Sequence, residues 1–123
     1  MSRQTAKGTS FEKQVVDYLA EKLGDDRIER RAKNGKNDRG DVSGLKVRGK
    51  RCVVECKNHR RMELADWVDQ AEVERGNDDA EYGVVAHKRK GFGEKKVGGS
   101  YVTMTLETFA AIVAGGHDLL EGK

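Results

Sequence analysis

Long apolar runs, disulfide-forming cysteines and proline are all missing from this 123-residue chain, which has two cysteines and no proline. A membrane-spanning helix needs about 20 consecutive apolar residues, and neither such a run nor a signal peptide with a hydrophobic centre is visible. The expected location is therefore the cytoplasm, that of the host if the gene is viral. Cys52 and Cys56 lie on one apparent strand, roughly 13 Å apart along it, too far for a disulfide. They read as small buried apolar residues, and with no histidine at ligand spacing they argue against zinc. The hydrophobic fraction is only 36%, so the core must be small, which suits a dimer or a domain with long charged loops. A strong excess of one charge is also missing. Twenty-four basic residues face 21 acidic ones, for a net charge of +3, so no supercharged nucleic-acid tail is present. Position matters more than the total, because basic residues cluster at 27–36, 46–61 and 88–96. The length suits one domain spanning 1–123.

What is present centres on Gly40-Asp41 and, further on, Glu55-Cys56-Lys57. Val53 and Val54 mark the second stretch as a strand, on which Glu55 and Lys57 share a face and Cys56 takes the other with Val54 and Cys52. Val47-Arg48-Gly49 suits a three-residue hairpin loop with Gly49 in the left-handed conformation. Counting back from that loop pairs Lys46 with Lys50 and sets Asp41 opposite Glu55. A one-residue slip would undo this pairing. Two carboxylates that close repel each other, and proteins usually separate them or neutralise them with a cation. Oxygen-only ligation suits Mg²⁺, and a lysine beside it can orient water or stabilise charge on a phosphate. That set is the minimum for metal-assisted phosphodiester hydrolysis. The plain alternative is a charged, exposed hairpin.

Asp41 with Glu55-Cys56-Lys57 on a valine-rich strand resembles the core of the PD-(D/E)xK nuclease superfamily, and the spacing is similar to that of its archaeal-type Holliday junction resolvases. Gly40 stands where the nominal motif has proline. The resemblance implies a restriction-endonuclease-like α/β (α+β) fold, a mixed central sheet flanked by helices, and a homodimer acting on branched DNA. It implies Mg²⁺, with Mn²⁺ as a substitute, held by Asp41 and Glu55, with the Cys56 carbonyl nearby and Glu12 as a direct or outer ligand. Lys57 would position the attacking water. Gly8-Thr9-Ser10-Phe11-Glu12-Lys13 resembles the resolvases' Gly…Glu-Arg motif, with Lys13 in place of arginine. Gln70 resembles the glutamine that many members carry on the helix after the motif strand.

The remaining elements read in order. Residues 1–8 are polar and predicted loose. Thr9-Ser10-Phe11-Glu12 fits a capping box, an alternative role for Glu12. The helix that follows has Phe11, Val15, Tyr18, Leu19 and Leu23 on its apolar stripe and ends at Gly24. A short strand is expected near Arg27–Arg31, within a polar link where Asn34-Gly35 marks a turn. Arg30, Arg31, Lys33 and Lys36 there are candidate phosphate contacts. A second helix from about Glu63 to Arg75, stopped by Gly76-Asn77, buries Leu64, Trp67, Val68 and Ala71. Trp67 reads as a core or interface residue, His59 as a surface residue, and Gln70 is otherwise a plain exposed glutamine. Tyr82–His87 reads as a central strand. Lys88, Arg89 and Lys90, with an exposed Phe92 that could wedge against a base, form a candidate DNA-contacting loop, as do Arg60 and Arg61 after the motif strand. Tyr101–Met104 reads as a last strand. Thr105 caps a helix through about Ala114 with Leu106, Phe109, Ala110 and Val113 inward. Gly115-Gly116 stops it, leaving a frayed or interfacial tail.

The expected function is Mg²⁺-dependent DNA cleavage, most specifically resolution of four-way junctions in recombination and repair. The alternatives are a phage or mobile-element endonuclease for duplex, flapped or branched DNA, an RNase, and an inactive DNA-binding module of the same fold.

Overall fold

A computed structural model describes residues 3–31 and 38–122, with side chains of the first helix described from Ser10 onward. Helix α1 (Arg3–Leu23) leads to strands β1 (Glu29–Arg30), β2 (Val42–Ser43), β3 (Lys46–Val47) and β4 (Lys50–Lys57). Helix α2 (Leu64–Asp78) crosses to β5 (Tyr82–His87), a 3₁₀ turn (Glu94–Gly99) precedes β6 (Tyr101–Thr103), and α3 (Leu106–Ala114) is followed by a 3₁₀ turn (His117–Leu120). The fold is a mixed six-stranded sheet flanked by helices. The order is β1-β2-β4-β5-β6, with β3 also on β4; β4 and β5 are parallel and the other pairs antiparallel. A parallel pair needs a crossover, which α2 supplies.

Alternation along the central strands separates two cores. Cys52, Val54, Cys56, Tyr82, Val84 and Ala86 meet Phe11, Val15 and Val16 of α1 on one face. Val85 meets Trp67 and Ala71 of α2 on the other. All six β5 residues are buried, as expected of a central strand. Both cysteines are free and buried, and burial pushes the Cys52 thiol up to about 12. A Cβ at Gly83 would lie 2.8 Å from the Ala71 carbonyl oxygen, so glycine there lets α2 seat close to the sheet.

The hairpin loop is shorter than its sequence suggests. Val47 pairs with Lys50 and Lys46 with Arg51, leaving the two-residue turn Arg48-Gly49, both with positive φ. That is the turn whose twist suits a hairpin. Nearer the base, Val42 pairs with Val54, while the Cys52 N–H donates to the Leu45 carbonyl. Ser43 and Gly44 therefore stand against Val53 alone, a β-bulge. The bulge residue offsets the shorter loop, and the ladder returns to the register that sets Asp41 beside Glu55.

The helices depart from expectation at their ends. α1 begins at Arg3, not after Thr9. Gln4, Ala6 and Lys7 are good helix formers, and Gly8 and Thr9 in the interior cost only about 1 kcal/mol or less each. Thr9 is thus no N-cap and Glu12 no capping-box partner. Val16 is buried in this helix, whereas Tyr18 and Leu23 are exposed. α2 runs through Gly76-Asn77 to Asp78 and closes on Asp79 in the left-handed conformation, whose N–H reaches the Arg75 and Gly76 carbonyls. Two contacts hold this extra turn, an Arg31–Asp78 ion pair at 3.2 Å and an Asn77 amide bond to the Asp38 carbonyl at 2.8 Å.

Thr105 caps α3 as expected, its hydroxyl accepting the Thr108 N–H at 3.0 Å. The buried face is Thr108 and Ala111, not Leu106, Phe109 and Val113, which are 83%, 54% and 62% exposed. Small residues at Thr108 and Ala111 let the helix sit close, and a helix apolar all round gives periodicity nothing to choose between. The tail is not frayed. His117 donates its N–H to Glu81 Oε1, which also lies 3.0 Å from its Nδ1.

Candidate metal and catalytic site

The site sits on the α2 face of β4. Glu55 and Lys57 project there together, and Lys57 Nζ lies 3.5 Å from Glu55 Oε2. Asp41 arrives from the bend just before β2, and its Oδ2 accepts the Cys56 N–H at 2.8 Å. A strand residue's N–H and C=O point to the same side, so the Cys56 carbonyl faces Asp41 too, while its thiol lies in the opposite core. Gln70, from α2, donates Nε2 to Glu55 Oε2 at 2.5 Å and to Glu74 Oε2 at 3.3 Å. Asp41, Glu55, Lys57 and Gln70 thus converge as the sequence predicts.

The residue before Asp41 is fixed as glycine by its own geometry. Its φ is +91° and a Cβ would lie 2.5 Å from Val53 Cγ1, whereas proline fixes φ near −65°. Only glycine suits this approach to β4.

Two residues of the site were not expected. Asp38, Glu55 and Glu74 each offer a carboxylate oxygen, and these atoms lie within 4.8 Å of one another. Glu74 is 1% exposed and Glu55 2%. The signal for Glu74 was available, because Trp67, Ala71, Glu74 and Asp78 continue one buried stripe along α2. A buried acid on such a stripe needs a reason. Asp38 carries no comparable pattern. Its Oδ1 accepts the Gly40 N–H at 2.9 Å.

Crowding of acids perturbs their protonation. Burial raises the Glu55 carboxyl to about 10, helped by the closeness and charge of Asp41 and the charge of Glu74, while Lys57 pulls it back. Burial likewise raises Glu74 to about 7, with Asp38 and Asp41 adding to it and the neighbouring Glu55 carboxyl opposing it. Near neutral pH the cluster therefore holds protons or a cation.

Glu12 is buried on α1, and its Oε2 lies 3.3 Å from Arg30 Nη2; it is not one of the three acids that converge. Lys13 pairs with Asp17 on the exposed side of α1. Arg31 is held by Asp78 through both terminal nitrogens. Lys33, Lys36 and the Asn34-Gly35 turn lie outside the described residues. Beyond the end of β4, Asn58, His59, Arg60, Lys88, Lys90 and Gly91 line a cavity of about 370 Å³, and Arg61 is exposed beside it in sequence. Phe92 is half-buried rather than exposed. The Arg89 guanidinium lies 4.3 Å from its ring centre and Lys96 Nζ 5.6 Å, and a Cβ at Gly99 would collide with the ring. His59, Trp67, His87 and Tyr101 form a row of rings with centroids 5.5–5.6 Å apart, so Trp67 is a core residue, as expected.

No protein family, curated protein or solved structure compared with this chain matches it. Among the described residues, no helix is long and apolar enough to cross a membrane.

Proposed function

We propose that this chain is a divalent-cation-dependent endodeoxyribonuclease that resolves four-way DNA junctions. The observation that carries the reading is the convergence of Asp41, Glu55, Lys57 and Gln70 on one largely buried patch of a mixed sheet. The donors at the patch are carboxylates and a strand carbonyl, which fits Mg²⁺ or Mn²⁺ and not a thiolate- or imidazole-loving metal. Asp41 and Glu55 would hold the ion, with the Cys56 carbonyl on their side. When bound, such an ion lowers the pKa of its water and neutralises charge on a phosphate.

The chain's own groups then have defined tasks. Lys57 Nζ, beside Glu55, orients the attacking water and stabilises the charge that builds on the phosphoryl oxygens. Water adds to phosphorus, the bond to the 3′ oxygen breaks, and the products are a 5′-phosphate and a 3′-hydroxyl. Gln70 positions Glu55 through its amide. Arg60, Lys88 and Lys90, around the adjoining cavity, take neighbouring phosphates, with Arg61, Arg89, Lys13 and Arg30 extending the basic surface. Phe92, packed between cations, supports that loop.

The test is cleavage of a labelled four-way junction, with duplex and single strands as controls, in Mg²⁺ or EDTA. Symmetric Mg²⁺-dependent nicks in the junction, with Lys57→Ala at least about 10²-fold slower, are expected. Equal cleavage of every substrate would replace the junction reading with a broader endonuclease. Binding without cleavage in Mg²⁺ or Mn²⁺ would leave a binding module.

Two symmetric nicks call for two sites, hence a homodimer. Support comes from the apolar side chains exposed on one face of α3, namely Leu106, Phe109 and Val113 at helical spacing; exposed apolar faces of this kind mark interfaces. Light scattering on a sizing column should give a dimer for wild type and a monomer for the Leu106→Glu, Phe109→Glu double variant. A monomeric wild type would remove the dimer.

A further inference from the structure

We propose that Asp38, Glu55 and Glu74 together form a site for a hard divalent cation, with Glu74 of α2 as a ligand that the strand motif does not contain. The site shares Glu55 with the proposed catalytic patch and so deepens that reading, but it is tested by binding alone. Three separate elements deliver the oxygens: the segment before β2, strand β4 and helix α2. Their offered atoms lie within 4.8 Å of one another. Twice a Ca²⁺–oxygen bond of about 2.4 Å spans that distance, and Mg²⁺ at about 2.1 Å needs only a small contraction.

Unpartnered atoms point the same way. Glu55 Oε1 and Glu74 Oε1 are buried and have no hydrogen-bond partner, in residues 2% and 1% exposed. A buried carboxylate oxygen without a donor is costly. The second oxygen of each acid is occupied, because the Gln70 amide nitrogen donates to both Oε2 atoms. One amide therefore clamps the two glutamates, the orienting task of a group behind metal ligands. Asp38 is fastened to the same helix through its carbonyl, which accepts from Asn77. No thiol or imidazole belongs to the group, so the chemistry is that of Mg²⁺, Mn²⁺ or Ca²⁺.

Trp67 offers a direct readout. It lies seven residues before Glu74 on the buried stripe of α2, about 10 Å along the axis, close enough to sensitise bound Tb³⁺. In the full chain without DNA, Tb³⁺ should give saturable tryptophan-sensitised luminescence that Mn²⁺ and Ca²⁺ displace. Glu74→Gln should weaken Tb³⁺ binding at least tenfold with an unchanged circular dichroism spectrum. Asp38→Asn should do the same, and serves if the first variant does not fold. Glu72→Gln, whose carboxylate pairs with Arg75 instead, should bind as wild type does. No sensitised signal, or full affinity in folded Glu74→Gln and Asp38→Asn, would overturn the site. In the latter case the ion belongs to Asp41 and Glu55 alone, and the nuclease reading survives. Binding lost in both variants, with no DNA cleavage by wild type, would keep the site and sink the nuclease.

Discussion

Glu55→Gln should lower DNA cleavage by roughly three orders of magnitude or more and, in EDTA at pH 8, raise the thermal midpoint. The two effects have one origin. Glu55 is almost wholly buried beside Asp41 and Glu74, and its carboxyl is pushed up to about 10 by burial first and by those neighbours next. The folded state therefore holds a proton that the unfolded chain, with a carboxyl near 4.5, has already released. Stability falls with pH wherever the folded state binds more protons. The cluster's penalty is thus absent below about pH 4.5 and grows as pH rises towards the folded value. An amide of the same shape carries no such penalty. Its oxygen can accept from Gln70, and its NH₂ can donate to Asp41 or to the open oxygen of Glu74.

Melting curves of wild type and variant in EDTA should accordingly converge near pH 4.5 and separate as pH rises, with the variant above. His87, held low by burial, titrates in both proteins and cancels, whereas the titration of Glu74 depends on Glu55, so the difference reports the two glutamates as a pair. Saturating Mg²⁺ should raise the wild-type midpoint and leave the variant's almost unchanged, since only a protein that binds the ion gains from mass action. A variant that melts below wild type at pH 8 in EDTA would show that the carboxylate is not a burden to the fold.

Gly44→Ala should destabilise the chain by about 3 kcal/mol, roughly a 10 °C drop in midpoint for a domain of this size. Gly44 has φ +83°, and a Cβ there would lie 2.2 Å from the Arg27 carbonyl oxygen and 2.8 Å from its carbon. Both colliding atoms are backbone, so no rotamer change relieves them. The strand entering β1 must retreat, and β1 is paired with β2 at Glu29–Ser43 and Arg30–Val42. That retreat moves the Arg31 N–H away from the Asp41 carbonyl, to which it donates at 2.9 Å. Cleavage should therefore fall as well, even in the fraction that remains folded. Gly49→Ala is the useful contrast. Its φ is also +83°, but a Cβ there meets nothing within 4 Å, so only the conformational cost of about 1–2 kcal/mol applies. Equal midpoints for the two variants would show that the contact with Arg27 is not what constrains Gly44.

The motif strand and its partners were legible because they depend on local rules. Alternation on β4 put Glu55 and Lys57 on one face, Thr105 announced a helix, and Tyr82–His87 read as buried. The register at Asp41 was also correct, although the loop leading to it was not. A two-residue turn plus a bulge at Gly44 reaches the same pairing as a three-residue turn without one, and the sequence alone does not separate these. Glu74 is hard to read from the sequence because the apolar part of the α2 stripe ends at Ala71 and an acid at the next inward position looks solvent-facing. The inward face of α3 was misread because Leu106, Phe109 and Val113 are more hydrophobic than Thr108 and Ala111, and hydrophobicity does not say which side fits closest. α1 begins early because propensity beyond the apparent cap favours helix, and α2 ends late because an ion pair and a hydrogen bond from distant residues hold its last turn. The packing of α3 and the end of α2 rest on contacts between residues far apart in the chain, whereas the start of α1 and the hairpin turn are local.

The pinning of both Arg31 and Asp38 to the last turn of α2 has a bearing on how the chain opens. Arg31 is tied to Asp78 and the Asp38 carbonyl to Asn77, so neighbouring positions at one helix end hold two residues that precede β2. Fraying of that turn would release both anchors in one event, and with them Asp38, one of the clustered acids, while Glu55 keeps its place on β4.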